Sequence, residues 1–231
     1  MVNTYNNKTR KNKKSSNKNT ALSYGQVFKT YLEKGFKLER YQKLGILFLV
    51  VVIAGFIGWV YEVIVGFIDL GGFYMRGGNF LPWINIYAFG ALAVIPLTYK
   101  VRKYPWAVFL VSALATGIVE LVGGWLVYTI GNGTRYWNYD QGLWAVGSIN
   151  GFVCPLSITI FGIGCLILVY LIIPVLIYLA KKMSKRAFLT LSIALFALVM
   201  LDEVTNLTLK NCNLKTAMDF YRSLGCKYQN F

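Results

Sequence analysis

Four acidic residues lie inside or at the edge of strongly apolar stretches of this sequence: Glu62, Glu120, Asp202 and Glu203. An ionisable side chain within a bilayer is costly unless it is paired, protonated or hydrated. Such residues therefore mark either a functional cavity or a buried structural pair. Both interpretations are open here: a substrate or cation site lined by carboxylates, or pairing with arginines that locks helices to loops.

Two arginines and several aromatic or polar residues accompany these acids. Arg76 and Arg135 each lie in a polar loop that follows an acid-bearing stretch. They could lock a helix to its loop or lie at the outer mouth of a site. The residues predicted to line the site are Tyr61, Glu62, Arg76, Glu120, Arg135, Trp137, Tyr139, Asn150 and Asp202. The aromatic members also fit the belt of Trp and Tyr found at membrane interfaces.

The residues and motifs that the sequence lacks limit its chemistry. Histidine does not occur, which excludes a Ser-His-Asp triad and metal sites built on imidazole. The GxxxxGK[ST] phosphate loop, the GxSxG elbow and the HExxH helix are absent as well. We therefore predict no catalytic residues, no metal and no cofactor. A membrane enzyme that works through carboxylates alone stays an alternative.

Composition assigns the chain to membrane proteins. Apolar residues make up 56% of its 231 residues and charged residues only 14%, whereas soluble domains carry about 25% charged residues. Because about 20 apolar residues cross the hydrocarbon core as a helix, we predict an all-α polytopic bundle of five transmembrane helices. The predicted spans are residues 44–68, 84–98, 106–130, 155–180 and 188–204.

The stretch 143–180 decides the number of spans. As one helix it would extend about 57 Å, which is too long for one simple crossing. Gly147, Gly151 and Pro155 interrupt its beginning. We interpret residues 143–154 as a re-entrant or broken segment, and a six-span alternative divides the stretch into two crossings.

The chain divides into three predicted parts. Residues 1–43 form a basic disordered arm followed by an amphipathic helix at the membrane interface, residues 44–204 form the transmembrane domain, and residues 205–231 form a polar tail. The amphipathic helix is predicted because apolar residues recur near helical spacing among lysines and arginines.

The charge distribution predicts the topology. The formal net charge is +15, and lysine and arginine concentrate in the N-terminal arm and near residues 100–103 and 181–186. The positive-inside rule then predicts a cytoplasmic N-terminus and an extracellular C-terminus. We expect the arm to bind anionic lipid headgroups rather than nucleic acid. In the tail, Cys212 and Cys226 form either a disulfide or two free thiols.

An ordered set of motifs resembles one protein family. The motifs are Gly58-Trp-Val-Tyr-Glu62, Arg76-Gly77, Ile86-Tyr87-Ala-Phe-Gly90, Glu120-Leu-Val-Gly-Gly124, Arg135-Tyr-Trp137-Asn-Tyr139 and Asn150-Gly-Phe-Val-Cys154. Over residues 44–165 the chain resembles the CmpB-like ABC-transporter type IV family of small bacterial membrane proteins. The resemblance implies a permease-like protein of the bacterial cytoplasmic membrane. Asn138 departs from the pattern, because the family tends to have an acid there.

Three hypotheses of function follow. The first is a permease-like transporter subunit with an outward-facing polar pocket, lined by Glu62, Glu120 and Asp202, with Arg76 and Arg135 at its mouth. A separate ATPase would supply its energy, and assembly as a homo-oligomer is open. The second is a scaffold, assembly or sensor protein whose acids pair structurally. The third is the carboxylate-dependent membrane enzyme.

Overall fold

The computed structural model describes residues 23–228, and every regular element in this part of the chain is a helix. The predicted basic arm at residues 1–21 lies outside the described residues. The helices are α1 (Tyr24–Glu33), α2 (Arg40–Leu70), α3 (Asn85–Thr98), α4 (Pro105–Ile130), α5 (Pro155–Lys182), α6 (Lys185–Asn211) and α7 (Ala217–Ser223).

Within residues 23–228, four helices are long and apolar enough to cross a membrane: α2, α4, α5 and α6. They confirm the predicted all-α polytopic bundle. The fifth predicted span is the apolar but short helix α3. Its 14 residues extend about 21 Å, less than the roughly 30 Å of a hydrocarbon core.

An irregular segment completes the crossing that α3 makes only in part. Residues 71–84 descend along α2, where the Ile84 N–H donates to the Gly55 carbonyl at 3.1 Å. The buried Trp83 indole donates to the Val51 carbonyl, also at 3.1 Å. Gly55 lies about 22 Å along α2 from its beginning, so α3 starts midway through the bundle.

Two glycines of α2 make this close packing possible. A Cβ atom at Gly55 would lie 2.1 Å from the Trp83 ring, and one at Gly58 would lie 2.1 Å from the Tyr87 ring. Both distances are shorter than any van der Waals contact. The two rings therefore pack directly on the backbone of α2, as small residues allow in membrane bundles.

Residues 143–154 form no helix that could span a membrane. They hold a 3₁₀ turn at Gly142–Ala145 and a short bridge between Ile149 and Val153. The chain then continues as α5, one helix long and apolar enough for a single crossing, so the structure does not support the six-span alternative. Helix α5 contains a π-helical turn at Leu168–Ile172. Pro174 accounts for it, because proline has no N–H to bond the carbonyl four residues earlier.

The helix ends define two faces of the bundle. The basic face comprises residues 34–40, 99–104 and 181–186. The tail face comprises the beginning of the segment 71–84, together with residues 131–154 and 212–228. On the tail face, the Met75 N–H donates to the Lys227 carbonyl at 2.7 Å, and the Tyr221 hydroxyl donates to the Phe80 carbonyl at 2.7 Å. The tail thus meets the loop 71–84, as five crossings require.

Helix α1 packs on the basic face. Its Ser23 and Gln26 form a reciprocal capping box, and its Val27 and Tyr31 are buried against the second half of α5. The Arg102 side chain donates to the Tyr31 carbonyl at 2.6 Å. The apolar side of the predicted amphipathic helix is therefore covered by protein.

Replacement of Gly55 by alanine tests the direct packing of Trp83 on α2. The added methyl group would displace the Trp83 indole and break its bond to Val51, and overpacking of this kind costs about 1–3 kcal/mol. We expect a lower midpoint of thermal unfolding in detergent. Gly25→Ala is the matched control, because a Cβ atom there meets nothing within 4 Å. Equal midpoints for the two variants would contradict the packing.

Candidate functional site

A cavity of about 300 Å³ lies between α2, α3, α4 and the first half of α5. Most of its lining is aliphatic, contributed by isoleucine, leucine, valine, alanine and glycine. Its polar and aromatic lining residues are Tyr61, Tyr87, Thr116, Glu120, Phe161 and Cys165. The cavity is thus an apolar chamber with one carboxylate and two phenolic hydroxyls.

Glu120 is the carboxylate of this cavity, and it is only 3% exposed. It accepts a hydrogen bond from the Tyr139 hydroxyl at 2.6 Å and another from the Ser157 hydroxyl at 2.7 Å. Ser157 is held at this point because it lies in the first turn of α5, where it also caps the helix with Cys154. Both carboxylate oxygens are therefore occupied by hydroxyl donors.

Tyr139 reaches Glu120 from the loop 131–154 on the tail face. Burial, and then the nearby Glu120 carboxylate, raise the pKa of Tyr139 well above its ordinary value. Like any tyrosine hydroxyl at neutral pH, that of Tyr139 is protonated, and it donates to Glu120. The Tyr139 ring also stacks on Trp144, with ring centroids 5.3 Å apart.

Glu62 is held beside the cavity through Tyr87. The Tyr87 hydroxyl donates to Glu62 at 2.7 Å, and the Arg76 guanidinium lies 3.9 Å from the same carboxylate. Arg76 also donates to the Glu62 backbone carbonyl at 3.3 Å. This acid therefore has a basic partner, as the structural interpretation of the sequence predicted for it.

Three aromatic rings form one wall of the cavity. Tyr61, Tyr87 and Phe161 contact one another edge to face, with ring centroids 5.4–6.3 Å apart. This spacing is typical of favourable aromatic contacts. The wall joins α2, α3 and α5, so these rings fix the width of the cavity between the three helices.

The loop 131–154 is held together by its own polar contacts. The Arg135 guanidinium donates to the Asn150 carbonyl at 2.8 Å and lies 3.7 Å from Asp140. The Trp137 indole donates to the Phe152 carbonyl at 2.8 Å. Arg135 also donates to the Asn138 side chain at 3.2 Å. Asn138, which departs from the family pattern, therefore still accepts a hydrogen bond from this arginine.

Asp202 does not share the cavity with Glu120. Its carboxylate accepts the backbone N–H groups of Phe80 at 3.1 Å and Leu81 at 2.7 Å, and the Asn206 amide donates to it at 3.0 Å. It therefore caps the irregular segment 71–84. The sequence predicted a single pocket lined by Glu62, Glu120 and Asp202. In the structure Glu120 lines the cavity, Glu62 lies beside it, and Asp202 bonds the segment 71–84 elsewhere.

The structure thus distributes the nine predicted residues over several places. Tyr61 and Glu120 line the cavity, while Glu62 and Tyr139 hydrogen-bond to residues that line it. The other five predicted residues, Arg76, Arg135, Trp137, Asn150 and Asp202, order the two tail-face loops and are absent from the lining. Their role in binding stays a prediction.

Sequence reasoning missed Tyr87, Thr116, Ser157 and Phe161. A signal existed for Ser157, since Cys154-Pro-Leu-Ser157 is a helix-start pattern with a hydroxyl at the third helical position. Tyr87 occurs in one of the family motifs. Among residues 23–228, no cluster of three or more cysteine, aspartate or glutamate residues could hold a metal ion.

Replacement of Asp202 by alanine tests its capping role. The partly buried backbone N–H groups of Phe80 and Leu81 would lose their acceptor, at a total cost of about 1–3 kcal/mol. We expect a lower unfolding midpoint and faster protease cleavage within residues 71–84. Glu203→Ala is the control, because within residues 23–228 that carboxylate accepts from the Asn79 and Asn85 side chains and from no backbone N–H group. A larger loss for the control would refute the assignment.

Comparison with known proteins identifies the family. A family model described as "Putative ABC-transporter type IV" matches residues 48–207, a range that contains every residue lining the cavity. Neither a curated protein nor a solved structure gave a match. The family match and the four long apolar helices together indicate a multi-pass membrane protein. The chain belongs to this ABC-transporter-related family.

Proposed function

We propose that the protein is the permease-like, membrane-embedded subunit of a transport system and that its substrate binds in the cavity around Glu120. The observation that carries the proposal is a chamber of about 300 Å³ that contains a buried carboxylate. By helical rise, Glu120 lies about 15 Å from the tail-face end of α4. A polar group at that depth is expensive and by default functional.

The energy source is proposed to be a separate ATPase subunit. The sequence has no phosphate-binding loop, and the family is related to ABC transporters. The basic face, which includes α1 and the connections near Arg102 and Lys181, is the face we propose to lie in the cytoplasm. There it would meet the ATPase, and the tail face would be extracellular in a bacterial cytoplasmic membrane.

A scaffold, assembly or sensor role is the second candidate, and one observation favours it. Each of the two membrane acids already has partners within the protein: Tyr139 and Ser157 for Glu120, and Tyr87 and Arg76 for Glu62. A purely structural role would need nothing more. The candidates differ in whether the acids affect an activity once folding is accounted for.

Co-purification tests the transport proposal. After mild solubilisation of native membranes, we expect an ATP-hydrolysing subunit to be recovered with this chain in a fixed ratio. Glu120→Gln should retain the partner but alter the hydrolysis of ATP. Asp69→Asn, at the exposed tail-face end of α2, is the matched control, because it lies on the face opposite to the proposed ATPase contact. Recovery of the chain alone, without ATP hydrolysis, would argue for the scaffold.

Native cysteines test the proposed orientation. Cys212 and Cys226 are free thiols, and Cys212 is exposed near the tail face, whereas Cys154 and Cys165 are buried. We expect a membrane-impermeant maleimide to label Cys212 in intact cells. Cys212→Ser should remove most of the label. Labelling that requires broken cells would reverse the orientation.

A further inference from the structure

The cavity opens sideways, between α2 and the first half of α5. The first half of α5 packs against α4, and its second half packs against α2. The first half therefore leaves a gap beside α2, which the ring contact between Tyr61 and Phe161 bridges. Residues that line the cavity and are also exposed border this gap: Ile57, Ile163, Gly164 and Ile167. We call these four residues the lateral opening.

The lateral opening lies at the depth of the lipid tails. Ile57 is about 25 Å from the beginning of α2 and about 20 Å from its end, and Ile163 is about 12 Å from the beginning of α5. The neighbouring exposed side chains Ile64, Phe67 and Leu171 are apolar. A ligand that uses this opening must therefore be soluble in the hydrocarbon core.

The buried carboxylate of Glu120 determines which charge a lipophilic ligand of the cavity can carry. In the described part of the chain, the ion pairs join Arg76 to Glu62 and Arg135 to Asp140, and Glu120 has no basic partner. A buried carboxylate without a counter-charge is costly. A cation in the cavity would supply that charge, whereas an anion would be repelled.

The aromatic wall favours the same ligand charge. Tyr61, Tyr87 and Phe161 line the same cavity as Glu120 and contact one another. The faces of aromatic rings attract organic cations, most strongly where water is excluded. A carboxylate combined with aromatic rings is typical of sites that bind organic cations such as quaternary ammonium groups.

We infer that the cavity binds a lipophilic organic cation, a single positive charge surrounded by apolar groups, which enters from the bilayer through the lateral opening. This inference rests on the proposed function, since it assigns a substrate class to the same cavity. On the tail-face side, Tyr139 of the loop 131–154 is bonded to Glu120. The exposed lining residues lie at the lateral opening, which is why we assign the bilayer as the route.

The test compares two ions of the same shape and opposite charge. The full-length protein is placed in nanodiscs of zwitterionic lipid, and binding of tetraphenylphosphonium and tetraphenylborate is measured by equilibrium dialysis against empty nanodiscs. We expect saturable binding of the cation, about one per chain, and no saturable binding of the anion. Equal binding of the two ions would overturn the inference.

Site variants connect the binding to the cavity. Glu120→Gln should weaken cation binding about tenfold or more, because the charge-assisted contact is lost. Glu33→Gln should leave it unchanged. Phe161→Leu keeps an apolar side chain but removes a ring, so we expect a loss of about two- to tenfold. It also provides a second test if Glu120→Gln does not fold. Unchanged binding in the folded variants would refute the site.

A further pair of variants tests the lateral opening. A Cβ atom at Gly164 meets nothing within 4 Å, and the same is true at Gly78 in the tail-face loop. Gly164→Leu should narrow the opening and slow cation binding severalfold, whereas Gly78→Leu should not. Equal rates would overturn the proposed route.

The outcomes separate this inference from the proposed function. If neither ion binds saturably while the ATPase subunit still co-purifies, the assigned substrate class is wrong and the transport proposal stands. If the cation binds and Glu120→Gln weakens it, but no ATPase is recovered, the substrate class stands and the transport proposal fails.

Discussion

Backbone N–H and C=O groups have no water to bond in the hydrocarbon core, so every such group must find a partner within the protein. Helices satisfy this constraint by themselves, but residues 71–84 are not helical. Near the middle of the bundle, three of their N–H groups find partners within the protein: two donate to Asp202, and one donates to the Gly55 carbonyl on α2. The half-length of α3, the position of Tyr87 and the shape of the cavity all depend on how this segment is held.

Direct packing on glycine connects the segment to the cavity. Because Gly55 and Gly58 have no side chains, Trp83 and Tyr87 lie on the backbone of α2. Tyr87 then points its hydroxyl at Glu62 and its ring at Phe161. A change that moved α3 away from α2 would therefore alter the acid, the aromatic wall and the cavity together.

Hydropathy alone predicted the long helices well, because a run of about 20 apolar residues indicates a spanning helix whatever elements pack beside it. The predicted spans 44–68 and 106–130 correspond to Arg40–Leu70 and Pro105–Ile130. Hydropathy also indicated that α3 is short. Neither hydropathy nor helical rise could predict that Asp202 accepts from the N–H groups of residues 80 and 81. Helical rise gives the depth of a side chain but not the element that it contacts.

The candidate site was predicted in part for the same reason. Glu120 and Tyr61 are noticeable in sequence, since one is charged and the other precedes an acid. The contacts of Glu120 with Tyr139 and Ser157 join segments 19 and 37 residues away, and no periodicity reports such pairs. The division of the acids between a cavity and a loop cap became visible only when these long-range contacts were known.

The half-length of α3 has an electrostatic consequence. The first turn of a helix carries a partial positive charge from its unpaired N–H groups, and α3 places that end in the middle of the bundle. Its first residue, Asn85, binds Glu203, and its third, Tyr87, binds Glu62. Two acidic side chains thus lie near the positive end of the helix dipole. Because α3 begins within the bundle, its dipole stabilises negative charge on carboxylates at that depth.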